Sequence, residues 1–414
     1  MASTPAVNLA ERILDDCLRY GTWQARDLDA LVERALDEED EFVARAATRA
    51  LFGVVIERLG DLFEPSLCEV YARLFSHVIA RALPEYAPED LLLRYKRMRA
   101  VRRFPGGEVR KVYVLSRVTL GADVAVTSVA LAAAKERFPG AEICLVGPAK
   151  NAELFATDSS IISVPISYGR GSLLRERLLA AVELQSTVDE IGAIVIDPDS
   201  RLTQLGLIPV CDDARYFFFE SRAFGGESNA SLSSLTAEWV AEVFHISPPE
   251  TFVAPPSRPK IADVAVSWGV GENGSKRVAG DFEFEVLSNL LKQGKSIVLD
   301  RGAAGEETDR VNALFERLGA PENLHLHDGS YGSFAGHIVN SELFVGYDSA
   351  GQHVANAAGI PLVSVFAGYA CARTLARWSP DRATSHVMAV DESNRATALD
   401  RTLSAIAEAE AVAR

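Results

Sequence analysis

The sequence predicts an α/β protein with two parallel-sheet domains that face a cleft, preceded by an all-helical N-terminal extension. From about residue 108 onwards, short apolar runs alternate with helical segments, which is typical of parallel sheets covered on both faces. Before that point, apolar residues recur at three- and four-residue spacing, and strand-like runs are absent. A proline-rich segment, residues 247–259, interrupts the alternation, and we expect a domain boundary there.

The helical extension is predicted to occupy residues 1–107. Its apolar periodicity indicates helices at Leu9–Leu18, Leu28–Leu36, Phe42–Phe63 and Leu67–Leu83. Prolines and glycines between residues 84 and 107 end this pattern. We expect a bundle that packs on the rest of the chain or on a second subunit, and in the latter case the protein would be a homo-oligomer.

The first sheet domain is predicted at residues 108–247 and the second at residues 260–414. In the first, strands are expected at Lys111–Ser116, Glu142–Val146, Ile161–Val164 and Ala193–Asp197, and helices at Asp123–Phe138 and Leu173–Glu183. In the second, strands are expected at Asp263–Trp268, Ser296–Leu299, Leu324–Leu326, Glu342–Val345 and Pro361–Phe366, and helices at Asp281–Leu291, Glu306–Leu318, Gln352–Ala358 and Ala396–Ala411. Because ligands bind beyond the carboxyl ends of such strands, we expect a ligand in the cleft between the domains.

The composition excludes several classes of protein. With 48% hydrophobic and 24% charged residues among 414, the chain can build large cores and is not mainly disordered. Its apolar runs fall well short of the roughly 18 residues that cross a bilayer. The five cysteines form no C-x-x-C pair, as expected in a reducing cytoplasm. The net charge of −15 disfavours nucleic acid as a partner.

A basic run at residues 94–103 stands out on this acidic chain. One interpretation is that it binds a phosphorylated acceptor, or anionic lipid at the inner face of the membrane. The alternative is a solvated helix face whose cations pair with the acidic run at residues 37–41. The sequence therefore predicts a cytoplasmic protein with at most peripheral membrane contact.

Two loops of the second domain have the residues that anions require. Residues 346–353 turn a strand into a helix whose first amides are free to bind a phosphate. A plain turn capped by Asp348 or Ser349 is the alternative. Residues 270–277 combine glycines with Lys276 and Arg277, which suit a pyrophosphate, and a solvated loop is the alternative there.

Two further loops contain carboxylates. Residues 300–307 follow a strand, where Glu306 either holds sugar hydroxyls or favours the first turn of its helix through the helix dipole. Residues 116–124 lie on the opposite side of the cleft, and there Asp123 is either a general base or a helix N-cap. His325 and His327 have the spacing of metal ligands on one strand face, but the sequence shows no third ligand near them.

Taken together, the four loops resemble those of glycosyltransferase family 9, the ADP-heptose:lipopolysaccharide heptosyltransferases. Over about residues 110–390, the similar segments are L-G-A-D-V at 120–124, E-R-F-P-G-A-E-I at 136–143, A-I-V-I-D-P-D at 193–199 and S-K-R at 275–277. The most specific match is D-S-A-G-Q-H at 348–353, which leads into A-A-G-I-P at 357–361. The resemblance implies the GT-B architecture, in which a Rossmann-like acceptor domain faces a Rossmann-like domain for the nucleotide-sugar donor.

The resemblance also implies an activity. Such enzymes transfer a heptose or similar sugar, with inversion, from an ADP-linked nucleotide-sugar to a hydroxyl of a glycan, lipopolysaccharide-type or protein acceptor, without a cofactor or an obligatory metal. By resemblance, Asp123 is the base that takes the acceptor proton, and Lys276 neutralises the leaving diphosphate. The implied donor-binding residues are Ser275, Arg277, Glu306, Asp348, Ser349, Gly351 and His353, and the acceptor-side residues are Thr119, Gly121 and Asp197.

This sequence departs from the family pattern at three places. Ala122 separates Gly121 from Asp123, and one extra residue in a helix rotates a side chain by roughly 100°. Ala350 stands where the family has glycine, and the helical extension is additional. The extension suggests a specialised acceptor, such as a protein, or an oligomer contact. The other departures favour an alternative, a catalytically inactive GT-B relative that acts as a binding or scaffold protein. A GT-B sugar-nucleotide epimerase or hydrolase is the second alternative.

Overall fold

Two parallel β-sheets form the framework of the computed structural model, which describes residues 5–37, 39–169, 171–271, 273–302 and 305–412. The first sheet contains β1 (Lys111–Leu115), β2 (Glu142–Gly147), β3 (Ile161–Pro165), β4 (Ala193–Asp197) and β5 (Tyr216–Phe218), in the order β3-β2-β1-β4-β5. The second contains β6 (Val264–Ser267), β7 (Ile297–Asp300), β8 (Leu324–His327), β9 (Leu343–Tyr347), β10 (Leu362–Ala367) and β11 (Ser385–Val390), in the order β11-β10-β9-β6-β7-β8. Both sheets confirm the predicted α/β class.

Helices precede and flank the sheets. The extension contains α1 (Ala6–Tyr20), α2 (Ala25–Ala35), α3 (Glu41–Ala50), α4 (Glu57–Asp61), α5 (Pro65–Ala82) and α6 (Pro88–Met98), with a π-helical segment, Leu51–Ile56, joining α3 to α4. With the first sheet come α7 (Leu120–Ala122), α8 (Ser128–Arg137), α9 (Ala149–Ala152), α10 (Leu174–Val188) and α11 (Leu232–Phe244). With the second come α12 (Phe282–Lys292), α13 (Glu306–Arg317), α14 (Tyr331–Ile338), α15 (Ala350–Ala358), α16 (Ala372–Trp378) and α17 (Ala398–Val412). Among the described residues, no helix is long and apolar enough to cross a membrane.

Strands β5 and β11 are not predicted by the sequence pattern. Strand β5 has three residues, too few to show a period. Five of the six residues of β11 are only partly buried, because it is an edge strand of the second sheet. The continuous apolar runs of the central strands, by contrast, arise from burial on both faces and are readily recognised.

The helical extension covers one face of the first sheet. Side chains alternate between the two faces of a strand, so neighbouring strand residues belong to different cores. The core shared with the extension includes Tyr113, Leu115, Cys144, Val146 and Val195. The core on the opposite face includes Val112, Val114, Ile143, Leu145, Ile194 and Ile196, and it continues into the second domain. The extension is therefore part of the first domain's hydrophobic core, as expected of a bundle that packs on the rest of the chain.

The basic run at residues 94–103 fastens the extension to the first sheet domain. Arg94 is buried, donates to Asp213 at 2.7 Å and to the carbonyl of Gly206 at 3.0 Å, and lies over the Tyr216 ring. Arg99 binds Glu220 at 2.9 Å. Among the described residues, none of these cations pairs with the acidic run at residues 37–41, so that predicted pairing is wrong; Arg99 does bind Glu69 within the extension, at 3.2 Å.

The carboxyl ends of the two sheets face each other across the cleft. Gly121, which follows β1, packs on the start of α15, which follows β9. A Cβ atom on Gly121 would lie 3.3 Å from the Cα atom of Ala350 and 3.0 Å from Cδ2 of His353. A side chain at position 121 would crowd this contact, so the two predicted loops meet through a glycine.

Candidate functional site

The two anion-binding loops predicted in the second domain meet at the carboxyl edge of its sheet. Lys276 ends a short 3₁₀ turn, and its ammonium group lies 2.6 Å from Oδ2 of Asp348 and 3.4 Å from the Asp348 carbonyl oxygen. The turn is held by Asn273, whose side chain accepts hydrogen bonds from the amide and hydroxyl of Ser275. Gly368 packs against the Ser275 backbone from the other side, because a Cβ atom there would lie 2.3 Å from the Ser275 carbonyl oxygen.

Both carboxylate oxygens of Asp348 accept hydrogen bonds, and these fix the orientation of the side chain. Lys276 occupies Oδ2, and Gln352 donates to Oδ1 at 2.8 Å. Gln352 is itself fixed by Ser364, which donates to its side-chain oxygen. The helix α15 then begins at Ala350, and Ser349 makes no capping bond to its amides. A cation and uncapped helix amides are therefore brought to one point, which is the arrangement that a diphosphate requires.

Gly351 has a packing role. A Cβ atom at this position would lie 2.3 Å from Cζ of Phe344, a buried ring of β9. The glycine lets the first turn of α15 rest on the sheet. The pattern of small residues therefore predicts the start of the helix correctly. By resemblance, Gly351 is expected to bind the donor, but its packing on the sheet is enough to explain a glycine at this position.

His353 is buried between the domains. Burial lowers the pKa of its imidazole to about 4; Asp348 acts in the opposite direction, and Lys276 lowers the pKa further. The ring lies 5.7 Å from that of Trp378. A neutral imidazole at this place contributes no positive charge to a phosphate.

Of two adjacent carboxylates on α13, Glu307 contacts the Lys276 loop more closely. Its Oε1 accepts from the amides of Val270 at 2.9 Å and Gly271 at 3.0 Å. Glu306, the residue that the resemblance implies, has a side chain that is 85% exposed. Arg277 is 3.7 Å from Glu306 and 3.6 Å from Glu307, so it bridges the two.

Asp123 is enclosed by hydrogen-bond donors. It is fully buried and accepts from the hydroxyls of Ser116 and Thr127 at 2.6 Å each, from the amide of Arg117 at 2.6 Å and from the side chain of Asn151. Burial raises its pKa despite these donors. A base must reach the acceptor hydroxyl, and this carboxylate is directed into the protein, which argues against the expected base role.

The insertion of Ala122 is accommodated locally. A π-helical turn over Asp123–Thr127 follows α7 directly, and such a turn accommodates one additional residue without ending a helix. Asp123 therefore faces the loop at residues 116–117, where it organises the carboxyl end of β1.

The expected acceptor-side residues differ in their surroundings. Thr119 is exposed, and Gly121 forms the contact with α15. Asp197 is buried and accepts from Thr203, Tyr216 and the Ser200 amide, while burial raises its pKa to about 6. Asp197 thus holds the turn after β4 and presents no free oxygen to the cleft.

Asp199 is a second carboxylate that the sequence offers near the cleft, after β4. Asp199 is buried and binds Arg222 at 2.9 Å and Ser221 at 2.6 Å, and Arg117 lies 3.8 Å away. Its φ of +70° is in the left-handed region. In the segments that follow β1 and β4, Val118, Gln204 and Leu205 share that conformation. Such strain is typical of functional loops.

Within the described residues, no group of three or more His, Cys, Asp or Glu side chains could hold a metal ion. His327 lies 5.4 Å from the ring of His337, and its Nε2 is 3.3 Å from the Ser330 carbonyl.

No protein-family model and no curated protein matches this chain in sequence. Solved structures do match it. The E. coli heptosyltransferase WaaC, with ADP-2-deoxy-2-fluoro heptose, aligns with a TM-score of 0.55 and 15% identity, over 72% of this chain and 99% of WaaC. A family 9 glycosyltransferase from Veillonella parvula aligns with a TM-score of 0.53 and 13% identity, over 73% and 97% of the two chains. The chain therefore has the GT-B fold of these glycosyltransferases.

Proposed function

We propose that this protein is an inverting glycosyltransferase that moves a heptose or similar sugar from an ADP-linked donor to a hydroxyl of a glycan, lipopolysaccharide-type or protein acceptor. The observation that carries the proposal is the meeting of Lys276 and Asp348 at the start of α15. In open parallel sheets this edge is the ligand-binding edge. The fold shared with WaaC, whose structure contains an ADP-linked sugar, supports the choice of donor.

The donor loops suggest a division of roles. Lys276 and the α15 amides would offset the negative charge that develops on the leaving diphosphate. Arg277, held by Glu306 and Glu307, would supply a second cation to the diphosphate. We assign the ribose contact to Glu307 and not to Glu306, because Glu307 is fixed against the loop. The proposed reaction uses neither a cofactor nor a metal, because these cations and amides would offset the charge of the diphosphate.

The two departures that suggested a catalytically inactive relative, Ala122 and Ala350, are both accommodated in the structure. The π-helical turn accommodates Ala122, and Ala350 begins a regular helix beside Gly121. A nucleotide-sugar epimerase or hydrolase would use the same donor site, and its product would distinguish it. A homo-oligomeric contact through the extension remains a prediction.

The donor proposal is tested by thermal unfolding with ADP, UDP and GDP. A nucleotide at 100 times its Kd stabilises the folded state by about 2.7 kcal/mol, and we expect ADP to give the largest rise in Tm. Incubation with ADP-heptose, followed by NMR of the products, then separates transfer and hydrolysis from epimerisation. If none of the three nucleotides raises the Tm, the donor site is wrongly assigned.

A further inference from the structure

A turn of the helical extension reaches the interdomain cleft. Residues 61–63, from the last residue of α4 into the connection to α5, present three carbonyl groups to the beginning of α16 in the second domain. The carbonyl of residue 61 accepts from Thr374, that of residue 62 from Cys371 at 3.9 Å, and that of residue 63 from Arg373 at 3.1 Å. The extension therefore contacts the donor domain as well as the first sheet.

The same turn is fixed on its two sides. The Phe63 ring packs edge-on against Trp378 of α16, with 6.2 Å between centroids. On the other side, Gly60 lies so close to Arg222 that a Cβ atom would be 2.5 Å from its Nε. Because Arg222 belongs to the first domain and Trp378 to the second, the turn lies where the two domains meet.

Asp61 is the carboxylate of this turn, and its side chain is exposed. No described residue donates a hydrogen bond to its oxygens, although its main-chain carbonyl is bound. Asp123, Asp197 and Asp199, by contrast, are buried and accept several hydrogen bonds each. Among these cleft acids, Asp61 is thus the one whose carboxylate is open to an incoming hydroxyl.

Charges from all three parts of the chain act on Asp61. Surrounding protein atoms remove part of the hydration of its exposed carboxyl group, which raises its pKa; Arg222, Arg201 and Lys276 act in the opposite direction, and Glu57 reinforces the rise. Packing also connects Asp61 to the Lys276 loop: Gly368 packs against the Ser275 backbone, and Thr374, shortly after it in the chain, donates to the Asp61 carbonyl. A carboxylate with a raised pKa that remains open is suited to accept a proton.

We propose that Asp61, supplied by the helical extension, is the general base of the transfer reaction. The inference rests on the proposed function. As the acceptor oxygen forms its bond to the anomeric carbon, its proton passes to the Asp61 carboxylate. The bond from that carbon to the diphosphate oxygen breaks, and its electron pair leaves with ADP beside Lys276. With water as acceptor, the products are free sugar and ADP.

The experiment compares Asp61→Asn and Asp61→Glu with a matched control, Glu64→Gln, an exposed acid of the same connection. ADP release from ADP-heptose in water measures turnover, and calorimetry with ADP measures donor-site affinity. Because the Asp61 carboxylate binds no described residue, Asp61→Asn should keep the Tm of the wild type. We expect kcat to fall by about 10²- to 10⁴-fold, with the Kd for ADP within about twofold and partial activity in Asp61→Glu.

The pH profile separates a base from a merely electrostatic role. In the wild type, kcat should fall as acid protonates Asp61, and Asp61→Asn should lose this dependence. A change in ADP affinity at constant kcat, or wild-type turnover and pH profile in Asp61→Asn, would overturn the proposal for Asp61 alone. If the wild type fails to bind ADP, the proposed function fails first, and the base assignment fails with it.

Discussion

The ammonium group of Lys276 lies 2.6 Å from the Asp348 carboxylate, joining two loops that are far apart in the sequence. Asp348 is held in turn by Gln352. The ion pair positions the cation next to the uncapped amides of α15. A lysine side chain held in this way loses little conformational freedom when an anion such as a diphosphate binds, and this favours binding.

Replacing Lys276 should weaken the binding of ADP but not of adenosine. A hydrogen bond to a charged group contributes about 1.5–3 kcal/mol, so Lys276→Met should raise the Kd for ADP by about 10- to 100-fold. Calorimetry with ADP and adenosine measures the difference. Lys260→Met, which removes an exposed lysine paired with Glu342, is the control and should leave both affinities unchanged. Equal losses for ADP and adenosine would contradict a diphosphate contact.

Asp123 should behave as a structural residue. Asp123→Ala would leave four buried donors without their acceptor, and we expect the free energy of unfolding to fall by at least about 3 kcal/mol. Urea denaturation measures this loss. Asp29→Ala, which removes an exposed partner of Arg81, should cost less than about 1 kcal/mol. Unchanged stability in Asp123→Ala, together with lost turnover, would restore Asp123 as the base.

The fold and the meeting of two loops of the second domain at one sheet edge could be predicted from local patterns. Continuous apolar strands and glycine-rich turns are properties of short segments, and they indicated the two sheets and the loops of Lys276 and Asp348. The finer choice between Glu306 and Glu307 could not be made, because neighbouring helix positions differ by roughly 100° in direction and the pattern did not fix which side faces the loop.

Asp61 could not be predicted in this way. Its position in the cleft results from the packing of α4 and α5 on the first sheet and from the contact of residues 61–63 with α16. These contacts join distant segments and leave no local signature in the sequence. The same holds for the basic run at residues 94–103, whose partners Asp213 and Glu220 lie in another part of the chain.

Arg94 and Arg97 bind the same carboxylate, that of Asp213, but differ in burial. The Arg94 side chain is 8% exposed and that of Arg97 is 53% exposed. Arg94→Ala also removes a buried hydrogen bond to the Gly206 carbonyl, so it should lower the free energy of unfolding by about 1.5–3 kcal/mol, and Arg97→Ala by less than about 1 kcal/mol. Urea denaturation of the two variants provides the comparison. Similar small effects in both would mean that Arg94 does not fasten the extension to the first domain.

His353 should make the protein less stable in acid. Its pKa is lowered from 6.5 to about 4 in the folded state, so the unfolded chain takes up the proton first as pH falls. The stabilisation that the neutral ring provides is complete above pH 6.5 and is lost towards pH 4, which amounts to about 3 kcal/mol. Urea denaturation at pH 7 and pH 4 measures how far the free energy of unfolding falls between the two pH values. This decrease should be smaller in His353→Gln than in the wild type by the same amount. His386→Gln, on strand β11, is the control, and an undiminished drop in His353→Gln would contradict a buried neutral imidazole.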